Sequence, residues 1–194
     1  DDGSLWGMGE NGSAVLGTGD TTDRSIPVQI EASGVIKVSA GTHHTHFVKS
    51  DGSLWGMGSN AQGRLGDGTS TERRTPVQIV ASGVIDVSAG TSFSLFVRSD
   101  GSLWSTENAD PSGPVKIVNS GVASLGEGNS HFIKDDGSLW GFGSNIYGQL
   151  GDGTTVSRTT PVQIESQGVL TVSSGIHHTL YVKKDGSAWG TGRN

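Results

Sequence analysis

The sequence predicts an all-β protein with the repeated four-stranded sheets of a β-propeller, and three observations lead to this. Glycine provides 32 of the 194 residues and only 32% of the residues are hydrophobic, so turns must be frequent and each element short. No stretch of ten or more residues has the 3.6-residue periodicity of an amphipathic helix. The chain also repeats itself about every 49 residues, and units of about 40–50 residues with four strands are typical of propellers.

The repeat is marked by five tryptophans, each at the end of an Asp-Gly-Ser-Leu-Trp motif in which Ala188 replaces the leucine of the last copy. The tryptophans are spaced by 49, 49, 36 and 49 residues, and are Trp6, Trp55, Trp104, Trp140 and Trp189. We interpret residues 1–194 as one propeller segment. Its units lie at about 1–50, 51–99, 100–135 and 136–184, with a partial unit at 185–194.

Each unit is predicted to form four short strands. In the second unit, the small apolar residues 84–89 suit a crowded innermost strand, and 94–98 form the next strand. Asp100 and Gly101 indicate a tight turn, because glycine accepts the positive φ of hairpin turns. Residues 102–104 then give the third strand. A polar loop then leads to the fourth strand. After the preceding Trp motif, at Trp55, this fourth strand is residues 76–79, and it carries a proline suited to an edge.

The third unit is 13 residues shorter than the others. Eleven of these residues correspond to 58–68 of the preceding unit, and the other two are lost before the next Asp-Gly turn. Loops change length at little cost in free energy. We therefore expect the short unit to keep its strands and to lose one long loop.

The run DGSLWGFGSNIYGQLGDGT at 136–154 resembles the regulator of chromosome condensation (RCC1) repeat, as do 160–162 and 174–179. The resemblance covers the whole chain. It departs from the pattern in the third unit, which lacks Gly-Gln-Leu-Gly, and at Phe93, which replaces the usual histidine. The resemblance implies a propeller of about seven blades, within the general range of about 4–8. The Trp-bearing strand occurs five times and each other strand four times, so we expect either a longer ring or a homo-oligomer that closes the propeller.

The tryptophans, at one fixed position per repeat, are predicted to be core residues that fill the space between neighbouring sheets. His44 and His178 occupy the Gly-x-x-His-Thr position of the RCC1 repeat, so we expect their imidazoles to hydrogen-bond to backbone between strands. The alternative is a zinc site that also uses His43 and His46. His46 aligns with Leu95, however, which favours packing. No metal, cofactor or catalytic residue is expected.

Composition also bears on partners and location. The 13 basic and 19 acidic residues give a net charge of −6, so nucleic acid is not expected as the main partner. No run approaches the ~20 apolar residues that span a bilayer, so membrane insertion is not expected, and the first residues do not resemble a signal peptide. The cysteine-free, Lys-poor composition favours a secreted or cell-surface bacterial protein, with the cytoplasm as the alternative.

The function that we predict is a protein-binding scaffold without catalysis, since binding usually resides in loops on a rigid framework. The alternatives are an enzyme inhibitor or nucleotide-exchange-type propeller, both implied by the resemblance, a self-assembling structural element, and a polysaccharide-active enzyme. Residues that differ between the repeats are the candidates for partner contacts, although each could simply be a solvated surface residue. They are Arg64, Arg73, Arg74, Phe93, Ile146 and Tyr147.

Overall fold

A computed structural model describes residues 2–107, 113–128 and 130–194. Within these residues the chain forms strands and one short 3-10 turn at Ala61–Gly63. The strands are β1 Leu5–Gly9, β2 Arg24–Glu31, β3 Val35–Ala40, β4 His44–Lys49, β5 Leu54–Gly58, β6 Arg73–Val80, β7 Val84–Ala89, β8 Ser94–Arg98, β9 Leu103–Ser105, β10 Val115–Val118, β11 Val122–Leu125, β12 His131–Lys134, β13 Leu139–Gly143, β14 Arg158–Glu165, β15 Val169–Ser174, β16 His178–Lys183 and β17 Ala188–Gly192.

The strands of the described part of the chain form five sheets, and within each sheet consecutive strands pair antiparallel. Sheet I contains β1 and β2, and sheet V contains β15 to β17. Sheets II, III and IV between them are complete four-stranded blades, made of β3–β6, β7–β10 and β11–β14. The predicted all-β, propeller-type fold is therefore confirmed.

The fourth strand of each full unit is longer than the sequence indicates. In sheet II it begins at Arg73, three residues before Pro76, and continues to Val80. It is the outermost strand of its sheet. A proline is tolerated there because an edge strand does not need the missing amide for a further neighbour.

The hydrophobic core lies between neighbouring sheets. One cluster joins Leu95, Val97 and Leu103 of sheet III to Val122 and Phe132 of sheet IV. Similar clusters form at the other junctions. Each sheet therefore depends on its neighbours for burial, as expected of stacked repeats.

The tryptophans divide into an inner and an outer group. Inner indoles are partly buried at the sheet junctions and stack nearly parallel on a fully buried phenylalanine of the second strand. These pairs, with their centroid separations, are Trp55 on Phe47 (6.4 Å), Trp104 on Phe96 (6.2 Å) and Trp140 on Phe132 (6.5 Å). Trp6 and Trp189 are instead 54% and 51% exposed, which corrects the expectation that they are core. Their sheets have only two and three strands, so fewer neighbours cover them.

Four of the five tryptophans are followed by a glycine, which makes room for the side chain opposite it. A Cβ on Gly56 would lie 2.8 Å from His46 Nε2. A Cβ on Gly141 would lie 2.9 Å from His131 Cδ2. In sheets II and IV the Trp-Gly pair therefore combines a large ring on one face of the strand with an imidazole on the other.

Candidate functional site

The predicted histidine cluster forms a buried hydrogen-bonded chain between sheets II and III. His44 Nε2 lies 2.7 Å from Ser94 Oγ, and the same oxygen lies 2.9 Å from His46 Nδ1. His46 Nε2 lies 3.1 Å from the carbonyl oxygen of Leu65. A carbonyl only accepts, so His46 donates from Nε2 and accepts the Ser94 proton at Nδ1. His44 must then donate from Nε2, which leaves its buried Nδ1 as a lone pair without a partner in the described part of the structure.

This geometry corrects the predicted roles of two histidines. His44 bonds to a side chain of the next sheet rather than to backbone, and the His178 ring is exposed. The histidines that hydrogen-bond to backbone are instead His46 and His131. His131 Nε2 lies 3.1 Å from the carbonyl oxygen of Leu150, as His46 Nε2 does from that of Leu65. His131 Nδ1 also contacts Ser174 Oγ at 2.8 Å. These contacts link neighbouring sheets.

The imidazoles of His44 and His46 are held neutral. Burial, with the nearby charges of His46 and Arg64, lowers the pKa of His44 to about 2. Burial lowers the pKa of His46 to about 4, although its hydrogen bond to the Leu65 carbonyl acts to raise that pKa. Ser94 is fully buried, so its hydroxyl does not meet solvent. No group of three or more metal-ligating side chains is found among the described residues. The arrangement is a structural link between blades.

The structure corrects two of the predicted partner contacts. Arg64 is buried, and it donates from Nε to the carbonyl oxygen of Ala61 and from Nη1 to that of Thr91. Arg73 Nε lies 2.6 Å from a carboxylate oxygen of Asp67, which is itself nearly buried. Arg64 joins two loops and is buried, whereas Arg73 is half-buried and held on Asp67, so both have structural contacts of their own.

The ion pair of Arg73 also recurs in the repeat. Arg24 pairs with Asp20, and Arg158 pairs with Asp152. Arg73 therefore belongs to the repeat pattern and is not specific to its unit. The aligned positions of the three arginines were visible in the sequence and could have shown this.

Two other candidates occupy different environments. Arg74 is exposed and pairs with Glu72 at 2.9 Å. Phe93 is partly buried and packs against the core cluster between sheets III and IV. Arg74 remains available to a partner, whereas most of the Phe93 ring serves the core.

Ile146 and Tyr147 are brought together with residues that the sequence did not indicate. Both are exposed on the loop between β13 and β14. The Tyr147 ring meets the His177 ring edge-on at 4.8 Å, and the Arg193 guanidinium lies 5.3 Å from the Tyr147 ring centre. Ile176, beside His177, is also exposed. We call these five residues the junction surface, since they lie where sheets IV and V meet.

The loop that carries Tyr147 is fixed from below by a buried amide. Asn145 Oδ1 accepts the backbone N–H of Leu150 at 2.9 Å, and its Nδ2 donates to Asp152 Oδ1 at 3.0 Å. The backbone N–H of Tyr147 donates to Gln149 Oε1 at 2.9 Å. Tyr147 is therefore presented by a braced backbone.

The repeat provides an internal comparison for the junction surface. By repeat alignment, the equivalent residues of the second unit are small or polar. They are Ser59, Ala61, Gln62, Thr91 and Ser92. The histidine recurs at His43 of the first unit, but the two isoleucines, the tyrosine and the arginine do not recur there. The fold does not need these four side chains, so their presence at one junction points to another role.

A cavity of about 520 Å³ adjoins this surface, where the ends of the innermost strands converge. It is lined by Thr42, Thr91, Glu127 and Ile176, each directly after the glycine that follows an innermost strand. Ile176 belongs to both the cavity and the junction surface. The two features therefore form one continuous face.

Comparison with protein families identifies the repeat. The family described as "Regulator of chromosome condensation (RCC1) repeat" matches residues 2–48, 51–97 and 136–182. A second family of the same description matches residues 35–64. A search of curated proteins finds no match.

Solved structures show the same fold at low sequence identity. Human WBSCR16 is 20% identical, with a TM-score of 0.79 over all of this chain and 58% of that one. Prp20p from Saccharomyces cerevisiae is 19% identical, with a TM-score of 0.84 over all of this chain and 54% of that one. Yeast RCC1 (Prp20) bound to Kap60 is 18% identical, with a TM-score of 0.82 over all of this chain and 53% of that one. The chain thus spans just over half the length of these structures. Since the family match covers more than half of its residues, the chain belongs to the RCC1 repeat family.

Proposed function

We propose that this chain is a protein-binding scaffold that contacts its partner through the junction surface. One observation carries the proposal: exposed isoleucine, tyrosine and arginine replace small or polar residues at a single blade junction, around the half-buried His177. Tyrosine and arginine are favoured anchors of protein interfaces. The braced loops lose little conformational entropy on binding, which favours affinity.

The structural relatives support this class of function without naming a partner. One structure is of Kap60 bound to yeast RCC1 (Prp20), and another is described with the binding properties of Prp20p to Gsp1p and histones. Those partners belong to those proteins. For this chain we propose binding without catalysis.

Location is also a proposal. We propose a secreted or cell-surface bacterial protein, supported by the cysteine-free composition. In the ranges that the structure describes, no helix is long and apolar enough to cross a membrane.

The binding proposal is tested with a displayed library of random peptides selected on the wild-type chain. Selected peptides are expected to bind the Ile146→Ala/Tyr147→Gln variant at least ~10-fold more weakly, since losing an interface anchor costs about 1–2 kcal/mol or more. The variant recreates the residues of the second unit, so its fold is preserved. Calorimetry gives the dissociation constants.

Val156→Ala is the matched control, because Val156 is an exposed apolar residue of the same loop outside the junction surface. It is expected to leave affinity unchanged. Peptides that bind the double variant and wild type equally, or a selection that yields no peptide, would contradict the proposal.

Sheets I and V support a second proposal, that further propeller sheets cover them. Met8 is 65% exposed whereas its repeat equivalent Met57 is 1% exposed, and Leu180 is 58% exposed whereas Leu95 is 0% exposed. Exposed apolar patches and unpaired strand edges promote association. The covering sheets would come from a longer chain or from a second copy.

The 194-residue chain is accordingly expected to associate with rising concentration in light scattering. A Met8→Lys/Leu180→Lys variant should associate less, and Val156→Lys should behave as wild type. A wild-type monomer of 20.0 kDa at every concentration is the result that would reject this proposal.

A further inference from the structure

We propose that the cavity beside the junction surface binds an arginine side chain of the partner, with Glu127 as its counter-ion. The inference rests on the proposed function, because it names what that partner inserts. The cavity volume of about 520 Å³ lies in the range of small-ligand sites, about 300–1,000 Å³. It can therefore hold one long side chain with part of the segment that carries it.

Glu127 is the residue that sets the charge of this cavity. It occupies the position held by Thr42 and Thr91 in sheets II and III and by Ile176 in sheet V. Its side chain is exposed, and no ion pair to it is found among the described residues. An unneutralised carboxylate at a concave site attracts a cation, since no other charged side chain lines the cavity among the described residues.

The backbone of Glu127 is fixed although its carboxylate is free. Its carbonyl oxygen accepts the backbone N–H of Ser174 at 2.9 Å, and it bridges to Ser173 of sheet V. The carboxylate thus projects from a backbone position tied to sheet V. The backbone therefore holds Glu127 at the cavity, while its free side chain can turn to meet a ligand.

The other walls suit the remainder of an arginine side chain. Val38 and Ile176 offer apolar surface along which its methylene stem can lie. Thr42 and Thr91 add hydroxyl acceptors on the opposite side, held together by the Thr42 N–H donating to the Gly90 carbonyl oxygen at 3.2 Å. Acceptors in several directions match the five N–H donors of a guanidinium better than the compact ammonium of lysine.

The test uses a short end-blocked arginine peptide and the same peptide with citrulline, which is neutral and nearly identical in shape. The arginine peptide is expected to shift the amide NMR signals of Gly41, Gly90 and Gly128 and to bind at least ~10-fold more tightly than the citrulline peptide. Glu127→Gln is expected to reduce arginine-peptide binding to the citrulline level. Equal binding of both peptides, or unchanged binding by Glu127→Gln, would overturn the inference.

Two control variants separate this inference from the proposed function. Glu10→Gln removes an exposed carboxylate elsewhere and should leave the titration unchanged. Ile146→Ala/Tyr147→Gln should also leave it unchanged, because both residues lie outside the cavity. If library peptides bind the junction surface while the arginine peptide does not bind, the proposed function stands and the arginine site is rejected.

Discussion

Replacing Trp55 or Trp140 with alanine is expected to lower the free energy of unfolding by about 3–5 kcal/mol, the usual loss for a large aromatic in a core. Both indoles pack at sheet junctions, on Phe47 and Phe132. Trp189→Ala should cost only about 1 kcal/mol, because half of that ring is already in solvent. Urea denaturation at low protein concentration measures all three losses.

The comparison with Trp189 is the control for this prediction, since the motif around all three indoles is nearly the same. Each Nε1 donates to the serine hydroxyl two residues earlier. Equal losses at all three positions would mean that the local motif, rather than burial between sheets, gives tryptophan its effect on stability.

Acidification from pH 7 to pH 4 is expected to destabilise the fold by several kcal/mol. The histidines of the unfolded chain take up protons near pH 6.5, while His46 has a pKa of about 4 in the fold and His44 a pKa of about 2. The unfolded state therefore binds more protons below pH 6.5, and stability present above that pH is lost as the pH falls towards 4. For His46 alone the loss reaches about 3 kcal/mol.

The control variant replaces His46 and His131 with leucine, the residue found at the equivalent Leu95 and Leu180. Its stability should fall less steeply between pH 6.5 and pH 4, although its stability at pH 7 is lower because Ser94 loses its acceptor. Urea midpoints measured across this pH range give both slopes. Parallel curves for variant and wild type would show that the histidine link is not the source of the acid sensitivity.

The sheets could be predicted from the sequence because their determinants are local and repeated. The turn at Asp100 and Gly101 follows from positive φ at the glycine, which is +73° in the structure. The innermost strand at Val84–Ala89 and the second strand at Ser94–Arg98 form over the predicted residues. Because the motif recurs about every 49 residues, the strands predicted in one unit could be assigned to the others as well.

The buried polar contacts could not be predicted, because their partners are distant in sequence. His44 and Ser94 are 50 residues apart, and His46 and Leu65 are 19 apart. Which atoms meet is decided by how neighbouring sheets pack, and no local pattern encodes that. Arg73 is different, since its alignment with Arg24 and Arg158 was a signal present in the sequence.

Only part of the junction surface could be predicted from the sequence, because its residues come from different repeat units. Ile146 and Tyr147 differ visibly from the other units at their own positions. Their neighbours His177 and Arg193 come from other parts of the repeat, and the packing of sheet V on sheet IV brings them to Tyr147. Unusual residues from different units become one site only through that packing.

Amide hydrogen exchange of the chain, with and without a peptide selected on it, tests the junction surface most directly. Added protection is expected in residues 144–150 and 175–178, which include Tyr147 and His177. The Asp-Gly turns at 51–53 and 100–102 lie at the opposite ends of the strands and should exchange as before. Protection confined to those turns, with none around Tyr147, would contradict the assignment of this face as the binding surface.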